Sequence, residues 1–185
     1  MLLLIVAATE PELRGADALA DVETLACGVG PIDAAAMTAA RLAIEPRPGA
    51  VLHVGIAGVR RAAALPIGSV VVGEHSVYCD SRSDLVVREL DPDPVLLGVV
   101  RTALPDAALR TIGTSADVGG TDSCDVEAME GFAVLHAATL AGIPAVELRT
   151  VSNEIEEDDR ALWRFDLALA ALEQAVPAVV AALRR

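Results

Sequence analysis

Apolar residues fall along this chain in short unbroken runs. Each run is closed by Gly, Pro, Asp or Asn, and most are followed by a helix-like stretch. Residues 2–8 predict a strand buried on both faces, and Thr9-Glu10-Pro11-Glu12 reads as a helix start with Pro near its N-terminus. Residues 22–27 predict a second strand, ended by Gly28-Val29-Gly30-Pro31 and followed by an Ala-rich helix over 33–44. Residues 51–54 predict a buried strand stopping at Gly55-Ile56-Ala57-Gly58. Residues 69–72 and 76–79 read as strands joined through Gly73-Glu74-His75, and 85–89 as another. Asp91-Pro92-Asp93-Pro94 opens a helix to residue 103, 109–115 is strand-like, and 116–125 is a polar Gly-rich loop. Residues 130–141 predict a helix stopped by Gly142-Ile143-Pro144, and 145–151 the last strand. The terminal helix begins near Asp158 or Asp159. In it Leu162, Phe165, Leu169, Leu172 and Val176 form one apolar stripe, and Pro177 predicts a kink.

Strands alternating with helices predict one domain over residues 1–185, a three-layer α/β/α sandwich around a central mixed, largely parallel twisted sheet. In such sheets ligands gather at the carboxyl ends of strands, where Glu12, Gly55-Ile56-Ala57-Gly58 and Asn153 fall.

Composition narrows the partners. The chain is 54% hydrophobic but only 2% aromatic, so its core must be built from Ala, Val and Leu. All 14 basic residues are Arg, and the formal charge is −13, a surface that repels nucleic acid and anionic membranes alike. A small neutral or weakly charged ligand remains. The separated cysteines Cys27, Cys79 and Cys124 fit reduced thiols and a cytoplasmic location, and the apolar opening lacks a basic leader and is short for a membrane span. His53, His75 and His136 show no metal-ligand spacing, and neither a metal nor a cofactor is expected.

Candidate chemistry sits at the strand ends, each residue with a plainer alternative. Glu12 is placed either to close a Thr9-x-x-Glu12 capping box or to activate water. Gly28-Val29-Gly30 completes no dinucleotide fingerprint and suits a tight turn. Glu127 reads as a solvated acid. Glu130 opens an apolar helix, either facing its positive end or buried for function. Ser152-Asn153 is either a turn or a polar pair at a strand end.

In this order the segments resemble the purine nucleoside phosphorylase and nucleosidase superfamily, over nearly the whole chain. The matching stretches are Ala8-Thr9-Glu10-Pro11-Glu12, Cys27-Gly28-Val29-Gly30, His53-Val54-Gly55-Ile56-Ala57-Gly58, Met129-Glu130-Gly131 and Arg149-Thr150-Val151-Ser152-Asn153. Within it, the pattern is most similar to the futalosine hydrolase family, an enzyme family of menaquinone biosynthesis. The marks are Gly55-Ile56-Ala57-Gly58, Met129-Glu130-Gly131, and Ser152-Asn153 with Asp158-Asp159-Arg160-Ala161-Leu162-Trp163.

The resemblance implies hydrolysis of a purine nucleoside's N-glycosidic bond through an oxocarbenium-like transition state. It implies Glu12 as general base, Glu130 with the Met129 backbone on the ribose, and Asn153 beside Ser152 on the departing base. Gly55, Ile56, Ala57, Met129, Ser152 and Thr121 are the implied substrate contacts, with Asp117 an alternative to Thr121. Phosphorylases hold phosphate with an arginine and a hydroxyl where this chain has His53 and Ile56, which favours water as nucleophile. Adenine-specific nucleosidases carry aspartate where Asn153 stands, and an amide suits a 6-oxopurine such as hypoxanthine. An amide is no general acid, so N7 must take its proton from water or the base must leave partly anionic. The loop 116–121 lacks the aromatic that stacks on the purine in relatives, and 13–22 is short for the family. Arg160 or Arg82 is placed to pair with a carboxylate on the substrate's tail, and a homodimer or higher homo-oligomer is implied, with residues 77–90 a candidate contact. The alternatives are a methylthioadenosine/adenosylhomocysteine or aminodeoxyfutalosine nucleosidase, and a non-catalytic nucleoside-binding module.

Overall fold

The computed structural model describes residues 1–16, 19–20, 22–121 and 123–184, so part of the short 13–22 segment lies outside the described residues. Among these residues eight strands form one mixed sheet. They are β1 (Leu3–Ala7), β2 (Val22–Ala26), β3 (Ala50–Val59), β4 (Val70–Tyr78), β5 (Glu89–Leu90), β6 (Ala108–Thr114), β7 (Val126–Ala128) and β8 (Ala145–Glu154). The helices are α1 (Pro31–Leu42), α2 (Pro94–Ala103), α3 (Gly131–Leu140) and α4 (Phe165–Leu183).

The apolar runs are continuous because both faces of the sheet are covered. Along β1 the side chains alternate: Leu3, Ile5 and Ala7 join the core with α2 and α4, while Leu4 and Val6 join the core with α1 and α3. In β3, Ala50, Leu52 and Val54 face the first core and Val51 the second. Helix α4 is long and apolar enough by length and composition to cross a membrane, but here Ala168, Leu172, Ala175, Val176, Val179 and Val180 are buried. Its observed stripe is therefore shifted from the expected one, since Leu162 and Phe165 stay exposed.

Strand β3 pairs in parallel with β1 and β8 and, at Gly58 and Val59, antiparallel with β7. Strand β8 also pairs with β4, β4 with β6, and β6 with β7. The pairings thus close a ring, β3–β8–β4–β6–β7, with β1 and β2 extending the sheet on one side and β5 attached to β4.

Three expectations are corrected. β3 does not stop at Gly55 but runs through to Val59, with a register shift between Ala57 and Gly58. The expected strands 69–72 and 76–79 are one strand, β4, shifted in register between Gly73 and His75. In both places glycine marks a bulge rather than an end. Residues 85–89 are not a strand: Leu85 is 97% exposed and only Glu89 and Leu90 pair.

Candidate active site

Strand β1 delivers the chain to Thr9, after which Glu10–Leu13 forms a single 3-10 turn with Pro11 inside it. This turn aims Glu12 back at the sheet. Its Oε2 accepts from the Thr9 N–H at 2.9 Å and the Thr9 hydroxyl at 2.7 Å, and its Oε1 accepts from the Ile56 N–H of β3 at 3.1 Å. One oxygen closes the local turn while the other reaches across to the sheet. Glu12 is only 5% exposed, at the wall of a cavity. Gly55 stands behind that wall. A Cβ there would lie 2.9 Å from Glu12 Oε1 and 2.2 Å from Arg149 Nη1, so only glycine lets both side chains approach the strand.

Glu130 precedes the first turn of α3 but does not cap it. The Thr114 hydroxyl of β6 accepts from the Phe132 N–H at 2.8 Å, leaving the Glu130 carboxylate to turn inward. There Oε1 accepts from the Gly30 N–H at 3.0 Å, and Oε2 is 3.6 Å from Arg149 Nη1. Burial pushes the Glu130 carboxyl above its ordinary value, against the pull of Arg149 and the Gly30 N–H, with Glu12 and Glu147 adding to the rise. The nearby Cys27 thiol is pushed up to about 12, first by burial and then by the Glu130 charge, which disfavours its thiolate.

Arg149, on β8, is fully buried. Its Nε donates to Glu147 Oε1 at 2.7 Å, its Nη2 to His53 Nε2, and its Nη1 to the Ile56 carbonyl at 3.4 Å. The other nitrogen of His53, Nδ1, is 2.9 Å from the Val6 carbonyl. A carbonyl only accepts, so Nδ1 carries the proton and Nε2 offers its lone pair to Arg149. Burial, then the Arg149 charge, holds the His53 imidazole well below its ordinary value. His53 therefore faces inward rather than into the cavity. In the sequence Arg149 and His53 fall inside motifs and Glu147 in none, with nothing local to join the three. The available signal was Glu147 and Arg149 two apart on one face of an otherwise apolar strand.

At the end of β8, Asn153 Nδ2 donates to the Glu154 carbonyl at 3.0 Å, and Oδ1 accepts from the Ser152 hydroxyl at 2.8 Å. Because a carbonyl cannot donate, the first contact fixes which end of the amide is nitrogen. One lone pair on Oδ1 and one N–H remain for a ligand.

These side chains border a cavity of about 480 Å³ at the carboxyl ends of β1 and β8, which touches Glu12, Ile56, Ala57, Met129, Ser152 and Asn153, with Glu130 beside them. Gly55 lies behind it. Thr121 does not line it: the residue is 0% exposed and donates from N–H and hydroxyl to Glu127 Oε2 at 3.2 and 2.8 Å. Asp117 is exposed, and from this loop Val118 touches the cavity instead. Glu127, expected to be solvated, is buried and lines the cavity, its other oxygen accepting from the Gly119 N–H at 2.6 Å. The loop needs that anion to gather its N–H groups, which its polar sequence did not disclose.

Aromatic surface comes from the chain before and into α4. Trp163 and Phe165 line the cavity with their rings edge-to-face, centroids 5.7 Å apart. The Trp163 indole donates to the Glu157 carbonyl at 3.0 Å, and the Arg160 guanidinium lies 5.5 Å from its ring centroid. Arg82 is exposed and does not line the cavity. Among the described residues no group of three or more His, Cys, Asp or Glu is arranged to hold a metal ion.

The sequence model of the phosphorylase superfamily matches residues 102–185. A futalosine hydrolase of Streptomyces coelicolor is 37% identical, over 83% of this chain and 76% of that protein. A second, from Acidothermus cellulolyticus, is 39% identical over 50% of this chain and 43% of its own length. Among solved structures, a methylthioadenosine/adenosylhomocysteine nucleosidase of Colwellia psychrerythraea, in complex with adenine, superposes with a TM-score of 0.85 at 20% identity, covering 98% of this chain and 95% of its own. A futalosine hydrolase of Helicobacter pylori gives a TM-score of 0.85 at 13% identity, over 97% of each chain. These structural matches show a shared nucleoside phosphorylase-like fold.

Proposed function

This chain belongs to the futalosine hydrolase family of the phosphorylase superfamily, and from that membership we propose that it hydrolyses the N-glycosidic bond of futalosine, releasing hypoxanthine and dehypoxanthine futalosine on a route to menaquinone. The observation that carries the reading is the pair of buried carboxylates, Glu12 and Glu130, gathered near one guanidinium where the cavity meets the sheet.

The residue roles follow from what each atom has left to offer. Glu12, with Oε1 on the Ile56 N–H, is placed to accept a proton from an attacking water. Glu130 keeps acceptor capacity for the ribose hydroxyls, and its negative charge favours the cationic sugar of the transition state. Asn153 offers its free N–H to O6 and its remaining lone pair to a protonated N7. Ile56 supplies no side-chain donor for phosphate, and His53 is turned away into the core. Trp163 and Phe165 provide the ring faces missing from the loop at 116–121.

The direct test is hydrolysis of futalosine, methylthioadenosine and inosine side by side, without phosphate, with the free base read by chromatography. Hypoxanthine from futalosine alone is expected, and added phosphate should leave turnover unchanged. Glu12→Gln should still bind nucleoside yet lose turnover at least ~100-fold. Adenine from methylthioadenosine would overturn the role given to Asn153, and phosphate-dependent release of ribose 1-phosphate would overturn the hydrolytic reading.

The same reading includes a homodimer or higher homo-oligomer. Exposed Leu85, Val86 and Val87, beside the edge strand β5, support it. Sedimentation at micromolar concentration should give a mass above that of the 19.1 kDa chain, and a monomer would remove this part of the proposal.

A further inference from the structure

We propose that His53 and Glu147 are positioning residues of the hydrolytic site, gripping one edge of the Arg149 guanidinium so that its remaining nitrogen is held toward Glu130 and Glu12. The inference rests on the hydrolase reading above and adds two residues that do not line the cavity.

A guanidinium is a planar fork of five N–H groups. Its Nε and Nη2 hydrogens lie along one edge, and both are used: Nε on Glu147 Oε1 at 2.7 Å, Nη2 on His53 Nε2. Two partners on one edge limit the rotation of the guanidinium, which leaves Nη1 toward Glu130. Nη1 lies 3.4 Å from the Ile56 carbonyl and 3.6 Å from Glu130 Oε2, on the same face of Gly55 as Glu12 Oε1.

Each grip is itself fixed. The Val6 carbonyl holds the proton of His53 on Nδ1, so Nε2 can only accept, and a neutral ring adds no charge beside Arg149. Glu147 is fully buried and sits against the start of α3, where a Cβ on Gly131 would fall 2.2 Å from Glu147 Oε1. A carboxylate there suits the positive end of that helix. Glu147 thereby touches both Arg149 and the residue that follows Glu130. Its Oε2 has no hydrogen-bond partner among the described residues.

Stability alone explains this cluster poorly. Three carboxylates surround a single guanidinium in the interior, and buried ion clusters are often no more stable than apolar packing of the same volume. Displacing a group at a reaction centre by about 1 Å can cost ~100-fold in rate, so fixing the guanidinium has a direct kinetic return.

The test compares His53→Leu, His53→Gln and Glu147→Gln with the wild type on futalosine, inosine and methylthioadenosine, with melting temperature measured alongside. His53→Leu, which removes the acceptor, should lower kcat by ~10- to 100-fold with KM little changed. His53→Gln, which restores an acceptor, should recover most of that loss. Glu147→Gln keeps an acceptor for Nε but removes a charge that raises Glu130. The groups still facing Glu130 are Arg149, Glu12, the Gly30 N–H and the Cys27 thiol. The acidic limb of the kcat–pH profile should therefore move to lower pH.

Wild-type kcat in all three variants, or an equal loss in His53→Leu and His53→Gln, overturns the proposal even if melting temperatures fall. If His53→Leu does not fold, the Glu147→Gln pH profile decides, and an unmoved acidic limb with wild-type kcat overturns the proposal. Cleavage of inosine or methylthioadenosine instead of futalosine overturns the substrate assignment while the variant ratios still read the grip. A wild type silent on all three overturns both.

Discussion

Glu12 and Glu130 are both buried near Arg149, yet they are supported differently. Glu12 accepts from three donors, the Thr9 N–H, the Thr9 hydroxyl and the Ile56 N–H. Glu130 has the Gly30 N–H and a looser ion pair, and burial raises its carboxyl. A carboxyl raised on folding binds its proton more tightly in the folded than in the unfolded chain. Its contribution to stability is then full below the unfolded value and lost as pH rises through the folded one. Near neutrality an ionised Glu130 therefore weighs against the fold. Glu130→Gln should melt at or above the wild-type temperature at neutral pH, the gain shrinking as pH falls through the raised Glu130 value and gone below about 4–5, where free carboxyls titrate. Turnover should fall at least ~100-fold. A lower melting temperature at neutral pH would show that Arg149 needs Glu130 more than burial penalises it. Single residues beside strand ends are visible in the sequence, and Glu12, Glu130, Ser152 and Asn153 all border the same cavity. The grip on Arg149 is not visible there, because His53 and Arg149 are 96 positions apart and meet only through the parallel pairing of β3 with β8.

Among the strands and helices, those with strong local punctuation were read correctly. Helix α2 starts where Asp93 accepts from the Val95 and Leu96 N–H groups at 2.9 and 3.0 Å, with Pro94 behind it, and the sequence states that cap outright. The readings that failed share a cause. Glycines at 55, 58 and 73 look like strand ends but sit inside long strands, where β3 has to pass from one neighbour to another and β4 has to bend. Strand β7 has three residues, too few to show alternation, and exists because β6 and β3 offer it partners on both sides. Residues 85–87 have β-branched and aliphatic character but stay exposed rather than joining the core.

The sheet as a unit is asymmetric. Among the described residues five strands pair in a closed ring, whereas β2 pairs with β1 alone and β5 contributes two residues at the edge of β4. Glu12, Arg149, Asn153 and the strand end holding Ile56 and Ala57 are all carried by the ring or by the turn packed on it. Closure means that no ring strand can detach without breaking pairings on two sides. In amide hydrogen exchange, the ring strands should therefore open as one cooperative unit near the free energy of global unfolding, while β2 and β5 release their deuterium earlier by local fraying. If β8 exchanged ahead of β2, the ring would not be the last structure to open. The site would then inherit its geometry from the flanking helices, not from a frame that breathes only when the protein unfolds.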